Sequence, residues 1–412
     1  RDPQGAAFLA GEIQPPDGDH LEELGGDGAV SWEKTTIGEH CTVTSSKRFH
    51  LSDRSNSGVP FYCSKEIIQK VKSEKIDSCD YISEEFYEEV ARKYGVPQEN
   101  DLLVTTRGTI GIPYLYKKSD RFYFADGNLT WIKDFRSTLL PQYLYYWFLS
   151  HEGQRKIDSI AKGTAQKAVP IAGIKTLEML LPPIETQRRI ADILSTYDDL
   201  IENNRKQIKL LEEAAQRLYK EWFVDLHFPG HEHTKIMDGV PEGWKKRLLG
   251  DIVEVKYGKD HKSISDGLIP VYGSGGFMRK CGQVLYDGES VLIPRKGSLN
   301  NIIYVDEAFW TVDTMFYTKM KMPNIGVFLY FFVKSFDMYS MNIGAAVPSM
   351  TTNILNALDI IVPSSNILEH FQSTTKMHFR KMELLQKQIE TAMQARDRLL
   401  PKLMSGEVEM QL

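Results

Sequence analysis

The residues of this chain best suited to chemistry are cationic, and they recur in the same setting. Asp101-Leu-Leu-Val-Thr-Thr-Arg107-Gly108-Thr109-Ile-Gly111 is matched by Glu289-Ser-Val-Leu-Ile-Pro-Arg295-Lys296-Gly297-Ser298-Leu. An apolar, β-rich run closing on arginine and glycine reads as a strand feeding a tight turn. A guanidinium beside a hydroxyl donor on such a turn grips an anion or a planar hydrogen-bonding edge, which is the chemistry of binding rather than of bond-making. The signatures of catalysis are missing. The sequence holds no Asn-Pro-Pro-Tyr or Asp-Pro-Pro-Tyr, no glycine-rich strand-to-helix turn suited to S-adenosylmethionine, and no Gly-x-x-x-x-Gly-Lys-Ser/Thr phosphate loop. His227, His231 and His233 invite a metal reading. They stand in a proline- and glycine-punctuated stretch without a cysteine or carboxylate frame, so no metal site is expected.

The elements that position these turns are set by a repeat. Apolar residues alternate four and three apart through Ile190, Leu194, Tyr197, Ile201, Asn204, Ile208, Leu211, Ala215, Leu218 and Trp222, the spacing of a helix facing a partner helix. Moving each position 181 residues along gives Phe371, Thr375, His378, Met382, Leu385, Ile389, Ala392, Arg396, Leu399 and Leu403. The partner therefore lies in the same chain, and the two helices are expected to pair antiparallel. Asn204 is a polar position able to fix their register. Thr375, His378 and Arg396 interrupt the second seam and are expected to open toward a partner protein. Ile190 to Trp222 rises roughly 48 Å as a helix, against ~34 to 36 Å for one turn of duplex DNA, so the pair has the size of a spacer.

The repeat extends to the globular parts. Trp32 to Glu39 matches Trp244 to Asp251, aromatic segments follow at 142–149 and 327–332, and Gly163-Thr-Ala165 matches Gly344-Ala-Ala346. Each copy closes on an apolar run stopped by Pro182 or Pro363, read as a strand. The entry tryptophan and the arginine turn are 75 residues apart in the first copy and 51 in the second. The excess includes the charged segment 65–93, read as helix plus loop on a surface that varies with function. The expected boundaries are an acidic lead-in over 1–31, a first unit over 32–184, a helix over 185–228, a linker over 229–243, a second unit over 244–366 and a helix over 367–412.

At 412 residues and a formal charge of -5, the chain is neither a single small domain nor an indiscriminate polycation. Its four cysteines lack metal or disulfide spacing, which suits a reducing cytoplasm. The longest apolar runs, 143–149 and 327–333, fall well short of the ~20 residues that cross a bilayer.

The run Leu-Pro-Pro-Ile-Glu-Thr-Gln-Arg-Arg-Ile-Ala-Asp-Ile-Leu from Leu181, the Arg107 run, and Arg-Leu-Tyr-Lys-Glu-Trp-Phe from Arg217 resemble the DNA-specificity subunit of Type I restriction-modification enzymes over 32–412. The second copy departs from that pattern with Val362-Pro363-Ser364-Ser365. The resemblance implies an α+β chain: two homologous mixed α/β target recognition domains separated by two long antiparallel coiled-coil helices, with internal pseudo-two-fold symmetry. It implies binding of double-stranded DNA, one half-site per domain. Its partners would be two methyltransferase subunits and, through them, restriction subunits with motor and nuclease activity. The chain itself would carry no catalytic residues and no cofactor, leaving S-adenosylmethionine, ATP and Mg to the partners. Phosphates call for cations and base edges for bidentate side chains. That selects Lys47, Arg48, Arg107, Thr109, Gln166 and Lys167 in the first unit. In the second it selects Lys256, Lys259, Lys262, Arg279, Lys280, Arg295, Lys296 and Ser298. The rival readings are a duplicated coiled-coil scaffold that binds only proteins, and an enzyme with an unrecognised site.

Overall fold

The computed structural model describes residues 32–74, 76, 78–163, 167–341 and 349–408. The acidic lead-in, Gln166, most of the Gly163-Thr-Ala165 motif and all of Gly344-Ala-Ala346 lie outside the described residues. The chain folds as two compact units, one ending at Ser195 and resuming at Asp397, the other spanning Thr196–Arg396.

The first unit runs β1 (Glu33–Thr36), α1 (Ile37–His40), β2 (Thr42–Thr44), β3 (Val59–Tyr62), α2 (Ser64–Val71), β4 (Asp80–Ile82), α3 (Glu84–Tyr94) and β5 (Leu102–Thr105). It continues through β6 (Pro113–Leu115), β7 (Tyr123–Phe124), β8 (Leu129–Lys133), α4 (Pro141–Leu149), α5 (His151–Ile160), α6 (Ile171–Lys175) and β9 (Glu178–Leu181), then enters α7 (Ile184–Tyr219). Entry strand β1 pairs antiparallel with exit strand β9, Glu33 facing Leu181. The central sheet is ordered β2-β8-β5-β6 and a smaller one β4-β3-β7. β5 is apolar without alternation because both its faces are covered. Leu102 and Val104 join Tyr143, Trp147 and Phe148 of α4 in one core, whereas Leu103 meets Tyr114, Phe122 and Trp131 in another. The aromatic run is thus a buried helix. The segment read as helix plus loop is α2, β4 and α3; its three-residue strand is too short to show a period and exists through its pairing with β3.

The second unit contains β10 (Ile236–Met237), β11 (Val240–Pro241), β12 (Lys245–Leu248), α8 (Leu249–Ile252), β13 (Val253–Tyr257), β14 (Ile269–Gly273), β15 (Gly276–Cys281) and β16 (Tyr286–Pro294). After these come β17 (Ile303–Thr311), β18 (Met315–Met320), α9 (Gly326–Lys334), α10 (Thr352–Asn356), β19 (Asp359–Val362) and α11 (Ser365–Met404), whose last turns belong to the first unit. Its sheet is ordered β13-β18-β16-β17-β14-β15, and β12 pairs with β19 just as β1 pairs with β9. The expected linker 229–243 holds a hairpin turning at Asp238-Gly239, both at positive φ, the preferred two-residue hairpin chemistry.

Part of the seam is packed within each unit. In the second unit Ile201 packs with Ile389 and Ala392, and Asn204 Nδ2 donates to Gln388 Oε1 at 3.1 Å. At the far end of the pair, Trp222 and Phe371 rings lie 5.8 Å apart. Rising numbers on α7 meet falling numbers on α11, so the helices are antiparallel. In the first unit Ile190 and Leu194 share a core with Leu400 and Leu403.

Two seam expectations are corrected. Thr375 is fully buried and its hydroxyl donates back to Phe371 O at 2.7 Å, a local bond that lets a threonine sit in an apolar seam. Arg396 donates to Asp198 Oδ1 at 2.6 Å. Neither opens outward. His378 is half-buried, and its Nδ1 is a buried atom without a partner. The helices also end differently from the boundaries read in the sequence. α7 passes at Lys220–Val224 into a π turn, which aims the adjacent Trp222 and Phe223 into one core.

Each long helix docks its unit through a glutamine. Gln187, with no exposed surface, accepts the Leu140 N–H at 2.9 Å and donates to the carbonyls of Thr138 (2.9 Å) and Pro182 (2.8 Å), holding the start of α4. In the second unit Gln372 accepts the Val327 N–H at the start of α9. The divergent Val-Pro-Ser-Ser entry is thus compensated by a glutamine further along the helix. Replacing Gln187 by alanine removes the partner of three backbone groups, of which the Pro182 carbonyl is buried, and the expected cost is roughly 1–3 kcal/mol. Thermal unfolding checks this, and an unchanged midpoint would refute the docking role.

Candidate nucleic-acid interface

Each arginine turn is stitched to the segment that follows the repeated glycine. In the first unit Gly111 N–H donates to Thr105 O at 2.7 Å, and Gly108 N–H to Lys167 O at 3.2 Å. Arg107 forms a β-bridge with Ala168, and Gly108 and Gly111 hold φ of 78° and 80°. A side chain at either glycine would be strained. Arg107, Thr109 and Lys167 are thereby brought together. In the second unit Lys296 bridges Ser349, the Met350 N–H donates to Arg295 O at 2.9 Å, and Gly297 has φ 85°.

The acids heading the two runs are structural in both copies. Asp101 accepts Trp131 Nε1 at 2.8 Å, and burial pushes its carboxyl above the usual range against the pull of the Gln98 and Trp131 donors. Glu289 accepts the Tyr304 hydroxyl at 2.5 Å and the Gln372 amide. Burial, then the Glu289 charge, pushes the Tyr304 phenol far up. Trp131 and Tyr304 stand on strands that flank β5 and β16 on opposite sides, paired opposite Leu103 and Val291.

The remaining candidates divide by what their charges already touch. Arg107, Lys259, Lys262, Lys280 and Lys296 are exposed and pair with no carboxylate among the described residues. Thr109 and Ser298 are exposed on their turns. The Arg295 guanidinium lies 5.4 Å from the Tyr257 ring centroid and donates to Asp313 O at 3.2 Å, which aims it without neutralising it. Four others are paired: Arg48 with Asp126 (3.0 Å), Lys167 with Asp158 (2.9 Å), Lys256 with Glu254 (2.6 Å), and Lys47, 4.8 Å from the Tyr94 ring. The Glu254 bond raises the Lys256 pKa above its ordinary value.

Arg279 requires a correction. Its guanidinium donates to His261 Nδ1 and O, Ile264 O, Asp266 Oδ1 and Lys280 O. All its donor nitrogens are committed to the loop 261–266, so it shapes that loop and has no fork left for a base.

Sequence reasoning also missed a cleft in the first unit. It is lined by Ser64, Lys65, Ile68, Gln69 and Glu74 from α2 and its C-terminal turn, and by Thr109 from the arginine turn. The only available signal was the insertion itself. The His227 and His231 rings lie 5.3 Å apart, His231 Nδ1 sits 2.9 Å from Phe228 O, and no group of three or more potential metal ligands occurs among the described residues.

A family model described as the Type I restriction modification DNA specificity domain matches 29–213 and 241–404, one match per repeat. The chain belongs to that family. The Type I restriction enzyme MjaIX specificity subunit of Methanocaldococcus jannaschii is 29% identical over 347 residues, covering 75% of this chain and 78% of that protein. The putative MjaX specificity subunit of the same organism is 24% identical over 370 residues, covering 83% and 86%. The crystal structure of a Type I restriction-modification S subunit from M. genitalium shares the fold, with a TM-score of 0.62 at 19% identity over 95% of this chain and 99% of that one. In this specificity-domain family member the matched segments each end in a long helix, consistent with a coiled-coil spacer. No described helix is long and apolar enough to cross a membrane.

Proposed function

We propose that this chain reads a bipartite target in double-stranded DNA, one half-site per unit, with the helix pair setting the gap. It works without catalytic residues of its own, as the platform for two methyltransferase subunits and through them the restriction subunits, in the cytoplasm. S-adenosylmethionine, ATP and Mg belong to those partners. The observation that carries the reading is the duplicated arginine turn, built by the same stitching in both units and presenting exposed cations and hydroxyls in each. Leu200, Leu210, Met377 and Leu384, exposed on the long helices, supply apolar surface for the platform role. The test is duplex retention by the methyltransferase complex with and without this chain, on target and scrambled DNA. Equal retention of both duplexes whether or not the chain is present would sink the proposal and favour a protein-only scaffold.

A further inference from the structure

α2 belongs to the insertion that the second unit lacks, and it is strongly two-faced. Glu66 and Ile67 are buried, and Lys70 turns inward to Asp120 at 2.9 Å. Lys65, Gln69 and Lys72 therefore share the opposite face at helical spacing. That face borders the cleft whose other wall is Thr109, two residues beyond Arg107. The lining is mixed in sign and polarity: a lysine, a carboxylate, a primary amide, a hydroxyl and the half-buried Ile68. A bare phosphate would be repelled by Glu74. A base edge, with donors, acceptors and a methyl side by side, suits such a wall.

We propose that α2 is the base-reading helix of the first unit. Gln69 takes adenine through a bidentate N6/N7 pair, Ile68 lies against the methyl of the paired thymine, and Lys65 holds a flanking phosphate. This rests on the DNA-reading function proposed above and names the side chain that discriminates. The test uses the intact methyltransferase complex and a duplex library randomised in both half-sites. Gln69→Glu keeps the size and shape of the side chain but converts a donor–acceptor pair into acceptors, which match the cytosine N4 amino group. The expected result is a shift from adenine to cytosine of about tenfold or more at one position of one half-site, the other half-site unchanged. Lys65→Gln is expected to weaken binding evenly across sequences and to reduce the slope of log affinity against log salt by about 0.9. If Gln69→Glu melts like the wild type and leaves every base preference in place, the helix does not read bases. If Lys65→Gln alters a base preference with an unchanged slope, its phosphate role is overturned. If the wild-type complex shows no target preference attributable to this chain, the DNA-reading function itself fails.

Discussion

Removing residues 202–208 together with 385–391 is expected to move the two half-sites about three base pairs closer. Facing residues on the pair run in opposite directions, with Asp198 bonded to Arg396 and Asn204 to Gln388. The two excised segments lie opposite one another. Each cut removes seven residues, two turns of an α-helix, so the apolar stripe resumes in phase on both sides. The Asn204 and Gln388 partners leave together, and no polar group is stranded in the seam. Each helix shortens by about 10.5 Å, which at ~3.4 Å per base pair is the stated shift. Methylation of a library of half-sites at every spacing measures it directly. Retention of the original spacing would show that the helices do not set the gap.

Arg107→Ala is expected to relax or abolish recognition at one half-site, and Arg295→Ala at the other. Both turns are held by backbone bonds, with glycines at positive φ, so truncating the side chain leaves the loop in place. A lost bidentate base contact costs ~1–3 kcal/mol, or roughly 5- to 150-fold in affinity. A lost phosphate contact would instead lower affinity evenly and reduce the salt slope. Binding to duplexes mutated in one half-site at a time, across a salt series, separates the two. Loss at both half-sites from either single substitution would contradict independent readers.

The repeat, the long helices, the exit strands and the arginine turns were legible because each leaves a local trace: a period, a proline stop, a glycine after a strand. What the sequence hid was which charges are already satisfied. Arg279 reads as a surface cation beside glycines, yet its partners His261, Ile264 and Asp266 are 13 to 18 residues away, and only the folded loop consumes its donors. Arg396 looks like a break in an apolar stripe until Asp198 is found across the helix pair. The cleft was hidden for a related reason. α2 shows its amphipathic pattern locally, but its position against Thr109 is a tertiary fact. Thr375 shows the converse, since a polar residue that bonds its own helix backbone reads as exposed and is buried.

The two entry tryptophans have one more consequence. Trp244 packs against Phe228 and Phe223, just beyond the end of α7. Trp32 is in contact with the turn at Gly406, just beyond the end of α11. Each unit's first residues thus meet the end of a long helix, once through the peptide chain and once through space alone. Covalent order is therefore interchangeable at these two points. A gene rearranged to open the chain within 229–243, with a short bridge from 408 to 32, would encode the same contacts with its two units in reverse sequence.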